Sequence, residues 1–158
     1  MPDHVINAQS GHYFISPLGF ISYSEDFYEA CCSHITQRPF SPAKYYMACR
    51  SIELSLKAFL LLRGVTRDQL KKKPLWHDLN GILKKCKELG ISNIVSISNS
   101  QELCIDALNK WYARKGFEYF ELKNLGGSPL PNITDVQELA HFLIEGLKET
   151  CKNAANKP

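Results

Sequence analysis

Residues 41–64, SPAKYYMACRSIELSLKAFLLLRG, constrain this chain more than any other stretch. Ser41-Pro42 pairs a capping residue with the first helical position, where proline is tolerated. Gly64 closes the stretch with a residue suited to the left-handed end of a helix. Tyr45, Cys49, Ile52, Leu56, Phe59 and Arg63 recur at spacings of four and three, which makes one helical seam. Met47, Leu54, Ala58 and Leu61 make a second apolar seam beside it. A helix apolar on two sides is wrapped by neighbours, so the stretch reads as the central helix of an all-α domain. The remaining strip carries Tyr46, Arg50, Glu53 and Lys57. It reads in two ways: a solvated face with ion pairs three and four residues apart, or a polar strip facing a binding groove or a dimer seam.

At 158 residues the chain is long enough for one domain with a real core and short for two. The net charge of +3 does not by itself demand a nucleic-acid partner. Its placement is uneven, because residues 63–87 hold eight lysines and arginines against Asp68 and Asp78. Such a region either favours a phosphate backbone or is a soluble face. The six cysteines form no C-x-x-C pair, and most fall at apolar positions of expected helices, where free cysteine behaves as a small hydrophobe. That pattern, with an opening MPDHVINAQS that lacks a signal-peptide profile, leads us to expect a reduced, cytoplasmic setting. No apolar run approaches the length of a membrane span.

In chain order, residues 1–15 show no period and read as an arm, residues 16–154 as a single domain, and residues 155–158 as a tail. Ser16-Pro17 opens a first helix that the spacing of Phe20, Tyr23, Phe27, Cys31 and Ile35 carries to about Thr36. The short connection to the central helix predicts an antiparallel hairpin. Residues 66–70 suit a single helical turn, and a further helix begins near His77 and ends at Gly90, with Asp78 in its first turn. Residues 91–97 are ambiguous between a strand and an irregular turn. Ser98 with Gln101, and Thr134 with Gln137, have the spacing of capping boxes for two more helices. Residues 123–133 read as a loop. The expected product is an up-and-down bundle of about five helices.

Candidate chemistry is sparse. There is no phosphate-binding glycine loop, no G-x-S-x-G, and no clustering of the five histidines with cysteines or carboxylates at zinc-ligand spacing. Neither a metal nor a cofactor is therefore expected. His77-Asp78 at a helix start is the most informative pair. His77 either transfers a proton or meets a phosphate beside free helix amides, or the pair is a simple cap with Trp76 packed as a staple. Arg50 with Glu53, and Arg114 with Lys115, are the other polar candidates. Tyr112 and Tyr119 near the second pair either stack on a base or belong to the core.

ACRSIELSLKAFLLLRG followed by HDLNGILKKCKELG resembles the HEPN domain, with Glu53 ahead of Leu56-Lys57, then His77-Asp78-Leu79, then a tyrosine-rich segment with an arginine at 111–120. The resemblance covers roughly residues 17–152 and implies an all-α bundle that commonly dimerises. Many HEPN members are metal-independent ribonucleases, often toxins of toxin–antitoxin or defence systems. Others accompany nucleotidyltransferase domains or have lost catalysis. The ribonuclease signature is an arginine, four to six residues, then a histidine. Arg114 matches its first position, but Tyr119, Phe120 and Glu121 stand where the histidine belongs. A tyrosine, with an ordinary pKa of about 10, is a poor proton carrier at neutral pH.

The sequence therefore leads us to expect a non-catalytic HEPN-like domain that binds a protein partner, its own second copy, or a nucleotide or RNA. The binding candidates are Arg50, Glu53, Lys57, His77, Asp78, Tyr112, Arg114 and Lys115. A degenerate ribonuclease using Arg114 with His77, and a structural accessory to a separate nucleotidyltransferase, are the alternatives.

Overall fold

The computed structural model describes residues 16–119 and 129–156. The expected arm at 1–15, residues 123–128 of the expected loop, the last two residues of the expected tail, and the positions of Phe120 and Glu121 lie outside them. Among the described residues the order is α1 (Pro17–Ser33), α2 (Pro42–Leu62), α3 (Arg67–Leu70), α4 (Leu79–Glu88), a 3-10 turn (Ile91–Asn93), α5 (Asn99–Tyr112) and α6 (Ile133–Ala155). These residues contain no strand, so the ambiguous segment 91–97 resolves into the 3-10 turn and irregular chain. None of these helices is long and apolar enough to cross a membrane.

Local signals account for most boundaries. Ser16 and Ser41 each accept a backbone N–H from three residues on, and each is followed by proline at the first helical position. Thr66 with Gln69, and Ser98 with Gln101, close reciprocal capping boxes. Gly64 and Gly90 take left-handed conformations, with φ of 82° and 81°, just past α2 and α4. Three expected boundaries are corrected. α1 ends at Ser33, not near Thr36, where His34 turns extended. Asn132 caps α6 by accepting from the Thr134 N–H, so the Thr134–Gln137 box does not form. Asp78 is the cap of α4 and not a residue of its first turn.

The bundle is organised around α2. Every residue from 51 to 60 is buried, including Glu53 and Lys57. α1, α4, α5 and α6 all pack against it. α1 and α2 run antiparallel: Cys31 donates to the Lys44 carbonyl, while Ser24 meets Ser51 and Ser55 further along. α6 runs antiparallel to α1 by the same logic, with Gln137 near Cys31, His141 stacked on Tyr28, and Lys148 paired with Glu25. Burying Ile52, Leu56, Phe59, Leu143, Ile144 and Leu147 between these helices supplies the core, at roughly 1.5–3 kcal/mol per fully buried large side chain.

Two close approaches set the remaining geometry. Gly146 on α6 admits Val95, since a Cβ there would come within 2.6 Å of a Val95 methyl. Gly81 on α4 admits the preceding loop, since a Cβ there would come within 2.6 Å of the Pro74 carbonyl oxygen. The second contact seats the 71–78 loop against α4, and that loop lines the candidate site.

Candidate functional site

Positions 53 and 57 lie one turn apart on α2, so their side chains rise on one face. The face is not solvated. Glu53 is fully buried, and its carboxylate is met by four donors. Arg50 Nη1 lies 3.0 Å and Lys57 Nζ 2.6 Å from Oε1. His77 Nδ1 lies 3.0 Å and the Tyr112 hydroxyl 2.5 Å from Oε2. A carboxylate offers about four lone-pair positions, and all are taken. Glu53 therefore serves as an anchor and has no capacity left to receive a proton from, or coordinate, a ligand.

The electrostatics follow from that saturation. Burial pushes the Glu53 carboxyl up, but the His77 hydrogen bond and the charges of Lys57 and Arg50 outweigh it and hold the pKa at about 2. Burial pushes the Lys57 ammonium down, against the raising effect of Glu53. Burial and then the Glu53 charge push the Tyr112 phenol upward, so it remains a donor. Lys57 also donates to the Trp76 carbonyl at 2.5 Å, which ties the 71–78 loop to α2. Asn109 on α5 ties the end of the same loop, donating to Asp78 and accepting from the Leu79 N–H.

Two side chains of this cluster reach outward. The Arg50 side chain is 27% exposed and that of His77 38%. Both line a cavity of about 570 Å³ with Tyr46, Lys73, Pro74, Trp76, Asp78, Tyr112, Ala113, Lys115 and Glu118. His77 spends Nδ1 on Glu53, which leaves Nε2 to meet a ligand. Trp76 presents a half-exposed indole, edge-on to His77. Lys115 takes a left-handed conformation, φ 58°, in the turn after α5.

Of the residues singled out from sequence, the structure brings Arg50, Glu53, Lys57, His77 and Tyr112 into one hydrogen-bonded cluster. Lys115 and Asp78 stand at the cavity wall, Asp78 also as the α4 cap. Arg114 is exposed and does not line this cavity. The solvated reading of the α2 strip is corrected, because α5 and the 71–78 loop cover it. The stapling role for Trp76 is corrected too, the residue being 52% exposed. The basic region 63–87 divides: Lys73 reaches this cavity, whereas Lys85 and Lys87 pair with Glu88 and Glu102 elsewhere.

Trp76, Lys73 and Glu118 were not among the sequence candidates. For the first two a signal existed: a lysine run, a proline and a tryptophan immediately before a capped helix. Among the described residues no three histidine, cysteine or carboxylate side chains gather as a metal site. The cavity instead joins outward-facing cations to aromatic faces, a combination suited to an anionic ligand with a planar ring. No protein-family model, curated protein or solved structure matches this chain.

Proposed function

We propose that this chain is a non-catalytic, HEPN-like binding domain whose ligand is a nucleotide or an RNA segment held in the Arg50–His77 cavity. One observation carries this: a buried, saturated Glu53 fixes Arg50 and His77 at the wall of a cavity lined by Tyr46, Trp76 and Tyr112. A guanidinium and an imidazole suit phosphate oxygens, and the aromatic faces suit a base. The ordering of both polar groups by Glu53 lowers what binding would cost in side-chain entropy.

Equilibrium titration with adenosine and uridine 5′-monophosphates and a short RNA tests the proposal. The expected result is binding that weakens as salt rises. Lys73→Ala with Lys115→Asn should reduce affinity about tenfold while leaving the fold intact, asparagine being tolerated at a left-handed position. Absence of any binding at low salt would sink the proposal and favour an accessory role toward another protein.

The Glu53–His77 contact favours one second reading, a degenerate metal-independent ribonuclease. A carboxylate that orients an imidazole is the arrangement of an acid–base histidine. In that reading Arg50, rather than Arg114, is the cation beside the reacting phosphate. RNA incubated with chelator separates the two: intact RNA keeps the binding role, whereas cleavage lost in His77→Ala replaces it.

A further inference from the structure

A second, smaller cavity of about 210 Å³ shares part of its wall with the first. Arg50, Trp76 and His77 line both cavities, so the two adjoin. The larger volume falls in the range of small-molecule sites, about 300–1,000 Å³. The smaller falls below it and suits a group rather than a whole ligand.

Their charges differ as well. The larger cavity sets Arg50, Lys73 and Lys115 against Asp78 and Glu118. The smaller sets Arg50, Lys57, Arg67 and Lys71 against Glu53 alone. Lys57 and Glu53 neutralise each other inside the cluster, which leaves Arg67 and Lys71 as cations with no carboxylate of this cavity to meet. They sit four residues apart, on one face of the turn formed by α3. The half-exposed Trp76 thus borders two chambers that each hold an excess of cations.

Resting on the nucleotide reading above, we infer that the smaller cavity is a second phosphate subsite, and that the ligand is a nucleoside phosphorylated on both its 3′ and 5′ oxygens. The base lies against Trp76. One phosphate meets Arg50, Lys73 and Lys115, and the other meets Arg67 and Lys71. This chemistry has two sources, a free nucleoside 3′,5′-bisphosphate or an internal nucleotide of a single strand.

Tryptophan fluorescence titrations of the full chain with adenosine 5′-monophosphate, adenosine 3′,5′-bisphosphate and a tetra-adenylate RNA test the inference. The bisphosphate and the RNA should bind at least tenfold more tightly than the monophosphate. Arg67→Ala with Lys71→Ala, both at exposed positions, should abolish that advantage, leaving the bisphosphate and the RNA no tighter than the monophosphate. RNA tighter than the bisphosphate assigns the site to a strand; equal affinities assign it to the free compound; both support two subsites. Equal binding of monophosphate and bisphosphate, or an advantage that survives in the double variant, overturns the second subsite and leaves the nucleotide reading standing. No binding of any of the three overturns both.

Discussion

Helix α2 carries two buried polar groups on opposite sides, and they are built on different principles. Toward α1, Ser24 meets Ser51 and Ser55 at 2.9 and 2.7 Å, and its hydroxyl also reaches the Ser51 carbonyl at 2.7 Å. These three residues are neutral, small and fully buried. Ser24 donates to the Ser51 carbonyl and Ser51 to the Ser24 carbonyl, and Ser55 meets the Ser24 hydroxyl, so the contact closes on itself and lets two helices pack without an orphaned group. Toward α4 and α5, Glu53 carries a full charge and draws donors from α2, α5 and the 71–78 loop. That arrangement does not close on itself: Arg50 and His77 continue into a cavity. The serine contact is consistent with structure alone. The charged one combines structure with an outward face, which is what a binding site requires.

The largest effect expected on that contrast is from Glu53→Leu. It leaves Lys57 and Arg50 without their carboxylate, and removal of one partner of a buried ion pair costs about 3–5 kcal/mol. Urea denaturation should show it; a loss under 1 kcal/mol would mean the cluster is effectively solvated.

Acid comes next. The Glu53 pKa is held at about 2, below its ordinary value of 4.5. A depressed carboxylate contributes stability that is present above pH 4.5 and lost as pH falls toward 2, amounting to roughly 3 kcal/mol by linkage. Chemical denaturation at stepped pH should show this decline in the parent and a flatter profile in Glu53→Gln. The serine contact carries no titrating group and should add nothing to the slope.

Tyr112→Phe removes one of the four donors while keeping the ring in the cavity wall. A hydrogen bond to a charged group is worth about 1.5–3 kcal/mol, so stability should fall by that order. Nucleotide affinity should change less than twofold, since the phenol faces Glu53 and not the ligand.

Ser55→Ala should have the smallest effect, about 1 kcal/mol, the ordinary worth of a neutral hydrogen bond. Ligand binding should be untouched. A Ser55→Ala chain that folds normally but loses nucleotide binding would break the division of labour between the two sides of α2.

Much of the fold was legible because it is written locally. Ser16, Ser41, Thr66 and Ser98 cap helices whose first turns they can reach, and Gly64 and Gly90 end helices at positions where few other residues relax. The failure at Thr134 shows the limit of that reasoning, because Asn132 offers a competing acceptor only two residues away. The site was legible in part. Arg50, Glu53, Lys57 and His77 stood out as types, Trp76 read as a staple, and Arg114, singled out with them, lies away from this cavity.

What the sequence determined by itself is the all-helical character, the central place of residues 42–62, and most helix ends, since capping and apolar periodicity act within a turn or two of chain. Only the tertiary structure decided what the Arg50, Glu53 and Lys57 strip does. Its spacing is the same whether it faces water or lies under other elements. The difference is Tyr112, 59 residues from Glu53, and His77, 24 residues away. Burial and electrostatic coupling depend on distance in space, and no local pattern records which distant donors will arrive.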